Sequence, residues 1–175
     1  MPYTPIIGTL GYVWNRKTDE VLMVHRIARA DDQSLGKWNG LGGKLVADED
    51  VATGMIRELT EEASIVVDAM RLRATISWPG FGPDGEDWLG FLFVIDSWSG
   101  VVPNRNDEGT LHWIARPRLL AACSEDFPVA AAAELPMWEG DRYFVPLLFD
   151  DDARVVHGVM PYADGRPTSW YYTRL

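Results

Sequence analysis

The stretch from Val51 to Ala63 constrains this chain more than any other. Val51, Ala52, Met55, Ile56, Leu59 and Ala63 recur at helical spacing and make one apolar stripe. Asp48, Glu49 and Asp50 stand just ahead of it and offer an N-cap and acidic charge for the first turn. On the same helix Glu58, Glu61 and Glu62 occupy i, i+3 and i+4 and therefore share a face. A fold built on this helix must bury one side of it and must also relieve three carboxylates that repel one another. A divalent cation does that. Oxygen ligands suit Mg²⁺ or Mn²⁺, and Mg²⁺ characteristically joins a few carboxylates to the phosphates of a substrate. A solvated acidic face is the plain alternative for any helix that carries two or three glutamates. The glycine-rich run at 40–44 lets bare backbone approach a metal or a phosphate closely.

The rest of the chain alternates strands with short helices. Strands are expected at 6–14 and 21–25, paired as a hairpin across the polar turn 15–19. A polar loop follows at 28–37. Further strands are expected at 65–67, 71–78, 88–95 and 111–114, with 88–95 apolar enough to be central in a sheet. Residues 79–85, with two prolines and three glycines, read as a loop. Short helices are expected at 116–122 and, after Pro128, at 129–135. Residues 138–149 read as part helix, interrupted by Pro146. Strands at 155–161 and 169–173 close the chain around a turn at 163–166. No internal repeat or linker divides it, so residues 1–175 read as one α/β or α+β domain.

Composition narrows the function. The chain is 47% hydrophobic and 24% charged, as a soluble globular protein is. Its formal net charge of −10 repels nucleic-acid backbones, which argues against a nucleic-acid polymer as partner. An acidic protein that handles phosphate needs a local exception in the form of a metal, a few cations or backbone N–H groups. Arg26 and Lys44 are candidate phosphate contacts. The single cysteine, Cys123, excludes an intramolecular disulfide and lies in an apolar run, as a small buried hydrophobe does. The first residues lack the pattern of a signal peptide and no stretch is long enough to span a bilayer, so the chain reads as cytoplasmic and free of membrane. His25, His112 and His157 are scattered and form no metal-ligand spacing.

Gly43, five residues, Glu49, seven residues, then Arg57-Glu58-Leu59-Thr60-Glu61-Glu62-Ala63-Ser64-Ile65: taken whole, this spacing resembles the Nudix signature, with Ser64 where that family carries glycine. Residues 36–44, 67–69, Asp107-Glu108 followed by Trp113, and 137–148 are similar to the MutT branch, above all to hydrolases of oxidised purine nucleoside triphosphates. The resemblance implies an α/β fold, an α/β/α sandwich with a mixed β-sheet between helices. It implies a Mg²⁺-dependent enzyme, Mn²⁺ being the other candidate metal. The substrate would be a nucleoside triphosphate such as 8-oxo-dGTP, cut to the monophosphate and pyrophosphate.

Carried onto this sequence, the resemblance gives Glu58, Glu61 and Glu62 the metal, with the Gly42 carbonyl as a further ligand and Glu108 as a distant one. Glu58, Glu61 or Glu108 would act on the attacking water. Arg57 and Glu49 would form an ion pair that orients helix and loop. Asn39 would read a purine edge, Trp138 would stack on the base, and Asp141 would read it, with Trp78 and Trp88 as candidates to line the same cavity. Gly140 occupies the position of a second acid in that subfamily, so broader base tolerance is expected. Two other readings stay open. One is a pyrophosphatase for ADP-ribose or another nucleoside diphosphate conjugate, suggested by Pro79 fifteen residues past Ser64. The other is a non-catalytic nucleotide-binding regulatory module, although such modules typically lose carboxylates that this chain keeps. The sequence leaves the oligomeric state unspecified.

Overall fold

The strands are apolar on alternating residues of both phases, and that decides the architecture. In β1 (Ile6–Asn15) Tyr12 enters one buried layer and Val13 the other. In β2 (Glu20–Arg26) Val21 and Met23 oppose Leu22 and Val24 in the same way. A sheet with two apolar faces needs cover on both. The helix α1 (Val51–Ala63), which follows the short strand β3 (Trp38–Asn39), covers one face with Met55, Leu59 and Ala63. The strands β4 (Val66–Trp78), β5 (Trp88–Ser99) and β6 (Gly109–Ala115) come next. They are followed by α2 (Arg116–Ala122), α3 (Phe127–Ala132) and α4 (Asp141–Leu148). From α2 and α4, Leu119, Phe144, Val145 and Leu148 cover the second face. The chain closes with β7 (Val156–Val159), the hairpin β8 (Tyr162–Ala163) and β9 (Arg166–Pro167), and β10 (Tyr171–Arg174). The computed structural model describes residues 2–28, 30 and 32–175.

The main sheet runs β10-β7-β4-β5-β1-β2-β3, with β6 also on β2. β1 is parallel to β5 and β4 is parallel to β7, while the other pairs are antiparallel. The result is a mixed sheet between helices, the α/β/α sandwich expected. No helix among the described residues is long and apolar enough to cross a membrane.

Several boundaries differ from expectation, each for a local reason. Residues 65–67 and 71–78 are not two strands: β4 runs through both, with register shifts between Val67 and Ala69, Ala69 and Met70, and Leu72 and Ala74. Such bulges absorb an extra residue without ending the ladder. The helix expected at 129–135 is Phe127–Ala132: it starts earlier, because Pro128 sits in the first turn, where its missing N–H has no bond to lose, and it ends at Ala132, ahead of Glu134 at φ 51°. Residues 138–149 become helical only at Asp141, and Pro146 lies inside α4 without breaking it. The strand expected at 155–161 is confined to Val156–Val159, and the one at 169–173 shifts to Tyr171–Arg174. The turn 163–166 is the tip of the β8–β9 hairpin, with Asp164 and Gly165 at φ of 51° and 74°. Of the polar loop at 28–37, Arg29 and Asp31 lie outside the described residues.

Asp50 caps α1, its carboxylate accepting from the Ala52 and Thr53 N–H groups, so Asp48 and Glu49 precede the helix and its first turn holds no acid. Ile56, counted in the apolar stripe, is exposed. Ser64 ends the helix in the left-handed conformation, φ 54° and ψ 32°, which a glycine adopts without cost. Arg73, 2% exposed, reaches from β4 to the far end of α4. Its guanidinium donates to the carbonyls of Leu148 (2.9 Å), Leu147 (3.2 Å) and Asp150 (3.2 Å).

Candidate active site

Two glycines set the distance between α1 and the sheet. The run 40–44 is stitched to β1, with Thr9 N–H on the Gly43 carbonyl (2.8 Å) and Leu41 exchanging bonds with Gly11. Gly42 has φ +144°, and a side chain there would strike the Thr9 carbonyl. A Cβ on Gly43 would lie 2.6 Å from a Glu58 carboxylate oxygen. Bare backbone therefore lets Glu58 and Glu62 close on this loop, and Gly42 N–H donates to Glu62 Oε2 at 3.0 Å. Burial pushes the Glu62 carboxyl up to about 8. Repulsion from Glu108 and Glu58 adds to the shift, while the Gly42 N–H and Arg26 oppose it.

Arg57 organises the neighbouring acids. It grips Glu49 with two bonds, Nε to Oε2 at 3.0 Å and Nη2 to Oε1 at 2.8 Å. Its Nη1 also meets Glu58 (2.9 Å) and Glu61 (3.2 Å). Glu61, with its side chain 61% exposed, stands outward on the Arg57 side. Glu58 and Glu108 both lie near enough to Glu62 to repel its charge. Among the described residues no three acidic, histidine or cysteine side chains are gathered tightly enough to grip an ion. The donor set nevertheless fits a divalent cation, because a half-buried carboxylate repelled by two others is the arrangement that a cation relieves. Arg26 is engaged: it forms an ion pair with Glu108 and holds Asp32 Oδ2 at 2.6 Å. Its charge thus goes first to two carboxylates rather than to open space.

Next to these acids opens a cavity of about 430 Å³. Gly42, Gly43, Lys44, Arg26 and Glu108 line one part of it. Aromatic rings dominate the remainder, among them Tyr12, Trp78, Phe81, Trp88, Trp138 and Tyr162. Asn39 and Asp141 also line it, whereas Glu49, Arg57, Glu58, Glu61 and Glu62 are not part of its wall. β3 positions Asn39 through its pairing with Val24. Trp138 is braced from outside the cavity lining by Lys37, whose ammonium lies 4.3 Å from its ring centre, and its Nε1 donates to Ser34 Oγ at 3.3 Å. Asp141 opens α4 and accepts from Trp138 N–H at 3.1 Å. Burial raises its carboxyl to about 7, partly offset by that N–H and by Lys37. Lys44 stands 5.4 Å from the Trp88 ring centre.

Among the described residues the Asn39 amide and the Tyr12 and Tyr162 hydroxyls find no protein partner. Thr9 Oγ1 and Trp88 Nε1, in the same wall, are sealed and unpaired. A carboxylate-rich part beside an aromatic part with a few hydrogen-bonding groups suits a ring-bearing phosphate compound. Sequence reasoning missed Tyr12, Phe81, Phe144 and Tyr162. A lone aromatic in a glycine–proline loop is a signal that could have found Phe81. Tyr12 has the phase of an ordinary core residue in β1, and nothing local marks Tyr162.

The NUDIX domain model matches residues 4–148. A Bacillus subtilis protein described as "Uncharacterized Nudix hydrolase YvcI" is 27% identical over 148 residues, covering 82% of this chain and 80% of that protein. "Phosphatase NudJ" of Escherichia coli K12 is 27% identical over 125 residues, covering 70% of this chain and 80% of that one. The crystal structure of a MutT protein from Bacillus halodurans superimposes with a TM-score of 0.75 at 25% identity, over 95% of this chain and 97% of that one. A MutT protein from Methanosarcina mazei Go1 shares the fold, with a TM-score of 0.62 over 85% and 96% of the two chains at 21% identity.

Proposed function

The chain belongs to the NUDIX domain family and is a hydrolase, and from that premise we propose that it cuts nucleoside triphosphates to the monophosphate and pyrophosphate, with purines, oxidised ones included, preferred. The observation that carries this reading is a juxtaposition: crowded carboxylates on α1 and at Glu108 adjoin a cavity that holds Asn39, Trp138 and Asp141. β7 and β10 lie beyond the matched segment yet extend the same sheet from β4, which supports reading the whole chain as one catalytic unit.

Glu58 and Glu62, with Glu108 and the Gly42 carbonyl, would hold Mg²⁺ or Mn²⁺, and Glu61 stands next to that set. The metal, when bound, neutralises phosphate charge and polarises the phosphorus–oxygen bonds. Arg57 keeps Glu49, Glu58 and Glu61 in fixed orientation, so its two-pronged grip on Glu49 ties the loop to the helix. Glu58, Glu61 and Glu108 are the candidates to take the proton of the attacking water. Lys44, and Arg26 if it gives up an acid, would face the phosphates. Trp138 offers a stacking face, and Asn39 presents a donor and an acceptor to the base edge.

The test is turnover of dGTP, 8-oxo-dGTP, dATP, dCTP and ADP-ribose by metal-free protein titrated with Mg²⁺. Purine triphosphates should lead, and Glu62→Gln should lower kcat on the order of a hundredfold or more in a folded protein. Full activity in excess chelator, wild-type kcat in Glu62→Gln, or a wide lead for ADP-ribose would each overturn the reading.

A further inference from the structure

Tyr162 lies outside the segment that the family model matches, yet it lines the cavity. The β8–β9 hairpin delivers it. Tyr162 N–H donates to the Pro79 carbonyl at 2.8 Å, and Thr168 N–H returns to the Pro161 carbonyl at 2.8 Å. The hairpin is thus fastened to the loop that follows β4. Two glycines from separate parts of the chain give way to this one residue. A Cβ on Gly80 would stand 2.8 Å from the Tyr162 carbonyl oxygen. A Cβ on Gly140 would overlap the Tyr162 hydroxyl itself. The space that a side chain at 140 would fill is therefore filled by a phenol.

We propose that Tyr162 determines specificity, its hydroxyl contacting the hydrogen-bonding edge of the bound base beside Asp141, an inference that rests on the nucleotide-hydrolase reading above. The hydroxyl has no protein partner among the described residues, and it is not sealed off as the unpaired Thr9 and Trp88 atoms are. Its ring packs edge-on against Phe81, centroids 5.0 Å apart, which fixes where the hydroxyl can point. Burial, then the charges of Asp141, Glu139 and Tyr143, hold the phenol well above its ordinary range, so it stays neutral and can both donate and accept. A carboxyl at this position would instead change its proton count with pH. The pocket therefore pairs one titrating group, Asp141, with one whose hydrogen-bonding pattern is constant.

The experiment compares wild type with Tyr162→Phe, which removes one oxygen and keeps the ring. KM and kcat are measured for the five nucleotides above at saturating Mg²⁺. The expected result is a loss of about tenfold in kcat/KM for the preferred nucleotide, the worth of one neutral hydrogen bond. The loss should appear in KM with kcat and the Mg²⁺ requirement unchanged, and the ratio between preferred and poor nucleotides should shrink. Gly140→Ala, which displaces the hydroxyl but leaves it in place chemically, should raise KM in the same selective way. A folded Tyr162→Phe enzyme with wild-type KM for every nucleotide would overturn the proposal and leave Tyr162 as a packing ring. Wild-type protein that cleaves none of the five would overturn the proposed nucleoside triphosphate reading, and the proposal with it.

Discussion

At the scale of the residue, Asp141 is a group whose charge changes near neutrality away from the glutamates of α1. Its charge is felt by Tyr12, Tyr162 and Cys123, Lys37 opposes the rise, and Glu139 and Arg142 carry charge within two residues of it. Its carboxyl titrates at about 7 in the folded protein against 3.8 as the reference value. Between those two values the folded protein holds a proton that the unfolded chain has released, so stability falls as pH rises through this window. We expect the urea midpoint of Asp141→Asn to gain on wild type as pH goes from about 5 to about 8. Parallel midpoints across that range would mean that Asp141 is not buried as the structure has it. The glutamates of α1 were legible because one helix sets their spacing. Asp141, Tyr12 and Tyr162 come from distant parts of the chain, and only the finished fold brings them into one wall.

At the scale of the element, α4 has to be held at both ends, because its first residue faces the cavity. Asp141 ties down its start through the Trp138 N–H, and Arg73 takes up carbonyls at its end. Arg73→Met would strand the Leu147 and Leu148 carbonyls in an interior site, a loss of about 2–3 kcal/mol in unfolding free energy, while the exposed Asp150 keeps its pair with Arg174. Arg73→Lys keeps the charge without the planar fork and should fall between the two. Chemical denaturation at fixed pH reads both values, and a Met variant as stable as wild type would count against the anchoring role. Helices and strands were largely legible from periodicity. Their partners were not: β4 beside β7 and β1 beside β5 join residues far apart in sequence, and no local pattern encodes such pairing. Even Arg73 reads as a surface residue within a strand until α4 lands on it.

At the scale of the whole molecule, the charge of −10 opposes every anionic substrate that approaches. Local cations offset it only in part, since Arg26 is shared between Glu108 and Asp32. Raising salt from about 0.01 to about 0.15 M shortens the screening length from ~30 to ~8 Å. We expect kcat/KM to rise over that range at constant free Mg²⁺, in stopped or continuous assays alike. A fall would show that Lys44 and the metal govern the approach rather than the surface as a whole.

Cys123 is 5% exposed, and burial, first of all, pushes its thiol up to about 12. At neutral pH it is neither ionised nor within reach of a reagent. Among thiol-directed dyes and spin labels the folded protein is therefore silent. A cysteine placed at an exposed site such as Arg166, on the hairpin that carries Tyr162, would be the one position to take a label. Whether that hairpin shifts when a nucleotide is added could then be read against no background, without first removing a native thiol.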